Sequence, residues 1–315
     1  MGKSITILGI AGFAGSGLAK RLLAAGHTVT GIDIVSPHMA WALRDVIDHP
    51  KLTYLWKGIC DVTHADLADQ DYIIHLAAQA DVPMGITSPR WTVMENVDNI
   101  IHLLDLAKDC PKLQKFVYAG SGNEFGVPQY LPIDEKHPLT PANPYAFSKA
   151  AAEMACFTYR RAYNVPVVVM SNGSCLGAGM RRDIFVFLWL RNIRKGLPVR
   201  LEGGIQTRDL TYVSDILDAW DLVIGADPSV VVGEKFQVSY GEEVSVADIL
   251  EMCFEVTGKR VEVVKTDFRP GETNQREQFT NAKARRVLGY APKVGPREGI
   301  QLTWDWLKAL PESEL

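Results

Sequence analysis

Tyr145 and Lys149 stand four residues apart in the stretch NPYAFSKAAAE, residues 143–153. If that stretch is helical, as the run AFSKAAAEMACF suggests, positions i and i+4 share a face one turn apart, and a phenol and an ammonium share one pocket. A unit charge about 4 Å from the phenol at an effective dielectric of about 20 is worth roughly 4 kcal/mol. That equals about 3 pKa units and would carry a tyrosine from about 10 toward about 7, where a general base works best. The pair would then exchange a proton with a substrate hydroxyl. In a chain with 10 tyrosines, about 0.5 such pairs arise by chance. A surface helix pair is therefore the competing reading, and the rest of the chain has to decide.

Residues 6–34, TILGIAGFAGSGLAKRLLAAGHTVTGIDI, predict a strand, a glycine turn, a helix and a second strand. Ile5, Ile7 and Leu8 make the first strand, Leu18, Leu22 and Leu23 an apolar helix stripe, Gly26 its stop, and Val29 to Ile32 the return strand. Gly9, Gly12 and Gly15 are spaced G-x-x-G-x-x-G around Phe13 and Ala14, one residue away from the dinucleotide-binding spacing. Glycines there let the backbone approach a pyrophosphate, whose charge meets free amides at a helix N-terminus. Asp33 closes the second strand, where a carboxylate accepts bonds from ribose hydroxyls and repels a 2'-phosphate. Ile34, Val35 and Ser36 add no arginine, which favours NAD over NADP. The alternatives are an ordinary glycine-rich loop and a solvated strand-end aspartate.

The runs KLTYLWKGICDV (51–62), DYIIHLAA (71–78) and KFVYAGSG (115–122) are β-rich, with a helical stretch at 89–110 between the last two. This alternation predicts an α/β fold with a parallel, doubly wound sheet. Ligands of such sheets bind outside the carboxyl ends of the strands, where Asp33, Asp61, Ala77, Ala78 and Ser121 would collect. Asp61 and Val62 could meet an adenine edge, or Asp61 could cap the next helix. His75, inside an apolar strand without neighbouring ligand types, reads as a core histidine. VPVVVM (165–170) is a sixth strand, 181–200 a helix with a basic frame, and 201–220 a loop running into another helix. The remaining segments read as a small helical cap with a short strand. Arg208 and Arg269 both lie in loops near glycine; arginine forks suit a diphosphate, and equally occur on surfaces. The expected division is a cofactor domain over 1–172 and a mainly substrate-binding domain over 173–315, part of the chain after 205 returning to the first.

With 315 residues, 47% hydrophobic and 22% charged, the chain can bury a sizeable core. Its 33 basic and 37 acidic residues, formal charge -4, offer no footprint for nucleic acid or an anionic membrane. Cys60, Cys110, Cys156, Cys175 and Cys253 show no C-x-x-C spacing, so neither a metal site nor a disulfide framework is expected, and a reducing cytoplasm fits. No apolar run approaches membrane-span length, and no signal-peptide core is evident at the N-terminus. Gly2 with Thr6 formally matches a myristoylation pattern, set aside because Ser4 to Leu8 read as a buried first strand.

In this order, the glycine turn at 9–15, Asp33, Asp61, HLAAQADV at 75–82, Asn96, Ser121, Tyr145 with Lys149, GGIQTRDLTYVSD at 203–215 and RPGE at 269–272 resemble the extended short-chain dehydrogenase/reductase family, and within it the nucleotide-sugar epimerases and dehydratases. The similarity spans about residues 4–308. It implies a Rossmann domain with a smaller C-terminal α/β domain, and a tightly held NAD that takes a hydride from the sugar and returns it. Carried over by position, Tyr145 takes the proton of the C4 hydroxyl, Lys149 holds the nicotinamide ribose, and Ser121 bonds the reacting oxygen. Gly9, Gly12, Phe13, Ala14, Gly15, Asp33, Asp61, Val62, Leu76, Ala77, Ala78 and Asn96 fall at cofactor-binding positions. Ser121, Gly122, Asn123, Arg181, Arg208 and Arg269 fall at substrate positions. The helices around 89–107 and 145–163 resemble the pair through which the family forms homodimers.

Members that eliminate water place an acidic pair just after the Ser121 position; here those positions are Gly122 and Asn123, and Glu124 comes one residue late and would point away from a strand-borne site. The usual Arg-x-x-Asn before Gly177 is replaced by Ser171 and Ser174, while Arg181 matches where uronate-type epimerases hold the sugar carboxylate. The resemblance therefore points first to a 4-epimerase of a UDP-hexose or UDP-hexuronate. A 4,6-dehydratase or UDP-glucuronate decarboxylase and a non-catalytic NAD-binding relative are the alternatives.

Overall fold

The computed structural model describes residues 2–268 and 275–315. In chain order, β1 (Ser4–Leu8), α1 (Phe13–Ala24), β2 (Thr28–Asp33), β3 (Leu52–Trp56), α2 (His64–Leu67) and β4 (Tyr72–His75) come first. α3 (Val82–Thr87), α4 (Pro89–Val93), a π-helical turn (Met94–Asp98) and α5 (Asn99–Ala107) lead to β5 (Lys115–Ser121), a 3-10 turn (Gly122–Phe125), α6 (Pro144–Tyr163) and β6 (Val167–Asn172). Next come β7 (Ser174–Leu176), α7 (Phe185–Lys195), β8 (Val199–Glu202), β9 (Thr207–Arg208), β10 (Leu210–Tyr212), α8 (Val213–Gly225) and α9 (Pro228–Val231). β11 (Lys235–Val238), β12 (Val244–Ser245), α10 (Val246–Thr257), β13 (Val263–Thr266), α11 (Ala282–Leu288) and α12 (Pro296–Ala309) complete the chain.

Seven strands form one sheet in the order β11-β6-β5-β4-β1-β2-β3. The β3–β2, β2–β1, β1–β4 and β4–β5 pairs are parallel, with Ile5 opposite both Val29 and Tyr72. The expected doubly wound α/β sheet is present, and its order reverses between β1 and β4, the switch point at which such sheets open a crevice. Continuous apolar runs such as Val167–Met170 suit strands covered on both faces. Val167 and Val169 share a core with Leu103, Leu104, Phe116 and Tyr118.

The chain divides into two compact units, neither a single stretch: residues 1–124, 141–171 and 220–236, and residues 125–140, 172–219 and 237–315. In the second unit β7 pairs with β10, β9 with β12 and β8 with β13, and α7 and α12 pack on α10. The helix expected over 181–200 is confined to Phe185–Lys195. Gly196 takes the left-handed conformation (φ 69°) that ends a helix, Pro198 prevents its resumption, and Val199–Glu202 pairs with β13 as a strand.

Candidate active site

α6 begins cleanly. The Asn143 side chain accepts the Ala146 N–H at 2.9 Å, and Pro144 occupies the first helical position with φ already fixed. Tyr145 is therefore the second residue of the helix, within reach of its positive end, and Lys149 follows one turn later. The buried stripe of α6 includes Tyr145, Ser148, Lys149, Ala152, Glu153 and Cys156, spaced as one helical face, so the Tyr145–Lys149 pair is not a surface pair. Lys149 Nζ donates to the Ala119 carbonyl of β5 and stands 4.3 Å from the centre of the Tyr118 ring. Burial lowers its pKa to about 8, against the upward pull of Glu124, Cys156 and Glu153. An ammonium in this position puts positive potential on the tyrosine stripe and can lose its charge near neutral pH.

Ser121 ends β5, and its hydroxyl accepts from the Asn123 backbone N–H at 3.2 Å and the Asn123 amide at 3.4 Å. Gly122 is buried and brings no functional group. Glu124 lies in the 3-10 turn rather than in a strand, and its side chain is fully buried. Its carboxyl accepts the Ser121 N–H at 2.7 Å and approaches Lys235 at 3.5 Å.

At the switch point the glycine turn could not carry side chains. A Cβ on Gly9 would lie 2.7 Å from the Ala77 nitrogen at φ +88°, and one on Gly15 would lie 2.1 Å from the Gly9 carbonyl oxygen. The Leu76 and Ala77 amides both donate to the Leu8 carbonyl, tying the loop after β4 to the end of β1, with Ala78 exposed beyond it. Gly12 caps α1 without a side chain, leaving Phe13 and Ala14 as the helix's first turn. One Asp33 oxygen accepts the Ala11 N–H at 2.8 Å and the other the Val35 N–H at 3.0 Å, fixing the carboxylate at the strand end. Two edge-strand side chains brace the residues that follow: Trp56 donates to the Ile34 carbonyl and Tyr54 to the Val35 carbonyl.

Asn96 sits in the π-helical turn, a wider turn often met at functional sites. Its amide spans the Gln79 backbone, accepting at 2.7 Å and donating at 2.9 Å, and also donates to Ser148 at 2.8 Å. It thus pins the loop after β4 to the Tyr145 stripe. Asp61 is exposed in a 3-10 turn and does not cap α2, because Asp66 takes the Thr63 N–H there. Val62 is buried and its carbonyl meets His102. His75 is a core residue; burial lowers its pKa to about 3 and keeps it neutral.

In the second unit, Arg208 donates to its neighbour's carbonyl at 2.7 Å and stands 3.7 Å from Glu277, which also receives Ser174. Both forks of Arg181 rest on Asp183. Arg269 lies outside the described residues.

The family model described as GDP-mannose 4,6 dehydratase matches residues 6–303. The UDP-glucose 4-epimerase of Mycolicibacterium smegmatis is 30% identical over 96% of this chain and 97% of its own. The chain belongs to the extended short-chain dehydrogenase/reductase family. Within that family, the dTDP-glucose 4,6-dehydratase of Streptomyces antibioticus is 29% identical over 97% of this chain and 92% of its own. A crystal structure of UDP-glucuronic acid 4-epimerase from Bacillus cereus, in complex with UDP-glucuronic acid and NAD, superposes with a TM-score of 0.90 at 25% identity, covering 97% of this chain and 99% of that one.

Family-level reading of the sequence singled out neither Glu153 nor Lys235. Glu153 was detectable, since it lies four residues beyond Lys149 and eight beyond Tyr145, on the same helical face. Lys235 carried no such signal, because its partners come from 82 and 111 residues earlier in the chain.

Proposed function

We propose that this protein is an NAD-dependent nucleotide-sugar 4-epimerase whose substrate is a UDP-hexose or UDP-hexuronate. The observation that carries this reading is the buried Tyr145–Lys149 stripe, bonded through Lys149 to β5, together with the Ser121 hydroxyl that ends β5 and whose neighbour is the Asn123 amide, a group unable to protonate a leaving hydroxyl. The side-chain-free cradle of Gly9 and Gly15 and the fixed Asp33 carboxylate fit a dinucleotide, and relatives of the same fold are crystallised with NAD. Bound NAD would supply the hydride acceptor and donor at C4. Tyr145 removes the proton of the C4 hydroxyl as the hydride leaves and returns one when it comes back to the opposite face. Lys149 supports the phenolate and holds the nicotinamide ribose, Ser121 bonds the C4 oxygen, and Asn96 acts by fixing the cofactor-side loop. In the second unit, Arg208 and Arg269 grip the diphosphate. Arg181 recognises a uronate carboxylate if that anion displaces Asp183.

The exposed stripe of Trp91, Met94 and Ile101 on α4 to α5, with Phe147 and Met154 on α6, supports a homodimer built on these helices. The five cysteines are free thiols, which supports a cytoplasmic location. Incubation with UDP-glucose, UDP-galactose, UDP-glucuronate and UDP-galacturonate, followed by NMR, tests the activity. Inversion at C4 of any of them is expected. A 4-keto product or released carbon dioxide would favour the elimination reading, to which the 29%-identical dehydratase lends support, and no turnover of any would overturn the epimerase.

A further inference from the structure

Glu124 is fully buried, three residues after Ser121, and the proton transfer described above does not use it. Its Oε1 accepts the Ser121 N–H at 2.7 Å. Behind it, Lys235 of β11 donates to Glu153 of α6 at 2.9 Å and lies 3.5 Å from Glu124 Oε2. The two carboxyls thus face one ammonium. We propose that Glu124 is a positioning residue for the reaction: braced on the Glu153–Lys235 pair, its carboxyl holds the Ser121 main chain and with it the turn that presents Ser121 and Asn123. This rests on the role assigned to Ser121 above.

Two buried carboxyls that share one ammonium favour a proton on one of them. The groups around Glu124 decide which. Burial and the Glu153 charge raise its pKa, while Lys235 and Lys149 pull it down; Tyr118 of β5 and Cys156 of α6, both held neutral by burial, border the cluster. The balance is upward, so Glu124 is the acid. Glu124 then offers a carbonyl oxygen to Ser121, with its second oxygen on the Lys235 side. Its oxygens are thereby committed to protein partners, which separates this carboxyl from the acid that elimination chemistry places beside the sugar.

A neutral acid in this geometry has a close mimic. In Glu124→Gln, Oε1 still accepts from Ser121 and the side chain stays neutral and polar. In Glu124→Leu, the volume stays and the Glu153–Lys235 pair stays, but the Ser121 N–H loses its acceptor. The expected result is kcat within about 3-fold of wild type for Gln, and a drop of about 10- to 100-fold for Leu at unchanged KM, the scale of a displaced reacting group. Amide hydrogen exchange at Ser121 in the NAD-loaded protein is the second readout: faster in Leu, unchanged in Gln. It needs no turnover, so it judges the positioning role even if no nucleotide sugar proves to be a substrate. If the Leu variant does not fold, Glu124→Asp replaces it, with the shorter side chain withdrawing from Ser121 and the same direction expected. Wild-type kcat and exchange in Leu or Asp, or a Gln variant as slow as Leu, would overturn the proposal.

Discussion

Tyr145 owes its chemistry to two neighbours that arrive by different routes. One is the Lys149 ammonium, placed by helical periodicity; the other is the start of α6, placed by Asn143 and Pro144. Tyr145→Phe removes the proton acceptor without disturbing the buried stripe, so kcat is expected to fall by about 10²- to 10⁴-fold, the usual share of general acid–base catalysis. Steady-state assay with the NMR-identified substrate checks this, alongside a melting curve within a few degrees of wild type. Lys149 predicts an alkaline limit. Burial has lowered its pKa to about 8, so the cation is present below that value and lost as pH rises through it. kcat should decline above about pH 8, and Lys149→Arg, which cannot deprotonate in this range, should move that limit upward in a kcat–pH profile. This pair was legible because 3.6-residue periodicity is written in sequence. Glu124 reads from the sequence as turned away in a strand; it lies in a 3-10 turn instead, with its acid buried on the Ser121 N–H, because the chain leaves β5 at Ser121.

At the scale of elements, two buried lysines show what hydrophobic patterning misses. Lys115 of β5 is fully buried, yet its ammonium donates to the Val223, Ile224 and Ala226 carbonyls and so closes the C-terminus of α8. Lys115→Met keeps the volume and orphans those acceptors, and should cost about 2 kcal/mol in urea unfolding. Lys235 opens β11, the seventh strand of the sheet, whose KFQV pattern is too polar to read as a central run; Glu153 supplies the missing charge balance. The burial of Glu124, with the Glu153 charge, also gives stability a pH dependence. Glu124 is raised from 4.5 to about 8 in the folded protein, so the native state keeps a proton that the unfolded chain releases. The contribution is complete below about pH 4.5 and is lost as pH rises to about 8. Unfolding free energies measured from pH 5 to 8 should therefore slope downward, and Glu124→Gln should flatten that slope. The first βαβ unit and the sheet class could be read from the chain because strands, glycine turn and helix follow one another locally. The strand at Val199–Glu202 could not, because its pairing partner, Val263–Thr266, lies more than sixty residues away.

For the whole molecule, the sequence suggests a division near residue 172, but units assembled from separate stretches depend on contacts no local pattern records. Residues 220–236 join the first unit and 125–140 the second. Assembly is the other whole-molecule question. Met154 is 62% exposed in the single chain and Phe147 one face-repeat earlier is 50% exposed, so burial between subunits would stabilise both. Sedimentation velocity should find a dimer for wild type and a monomer for Met154→Glu, with unchanged far-UV circular dichroism; a wild-type monomer at micromolar concentration would remove the dimer reading.

α6 meets these demands with a single 20-residue rod. Its inner face carries Tyr145, Ser148, Lys149 and Glu153, the last three bonded to the π-helical turn, β5 and β11 in turn, while its outer face carries Phe147 and Met154. The segment therefore has almost no evolutionary slack. A saturation scan of the chain should record α6 as its most intolerant long helix, with proline, glycine and charge reversals rejected on both sides, and any drift in its sequence should come as paired changes with the strand or the partner helix that each face touches.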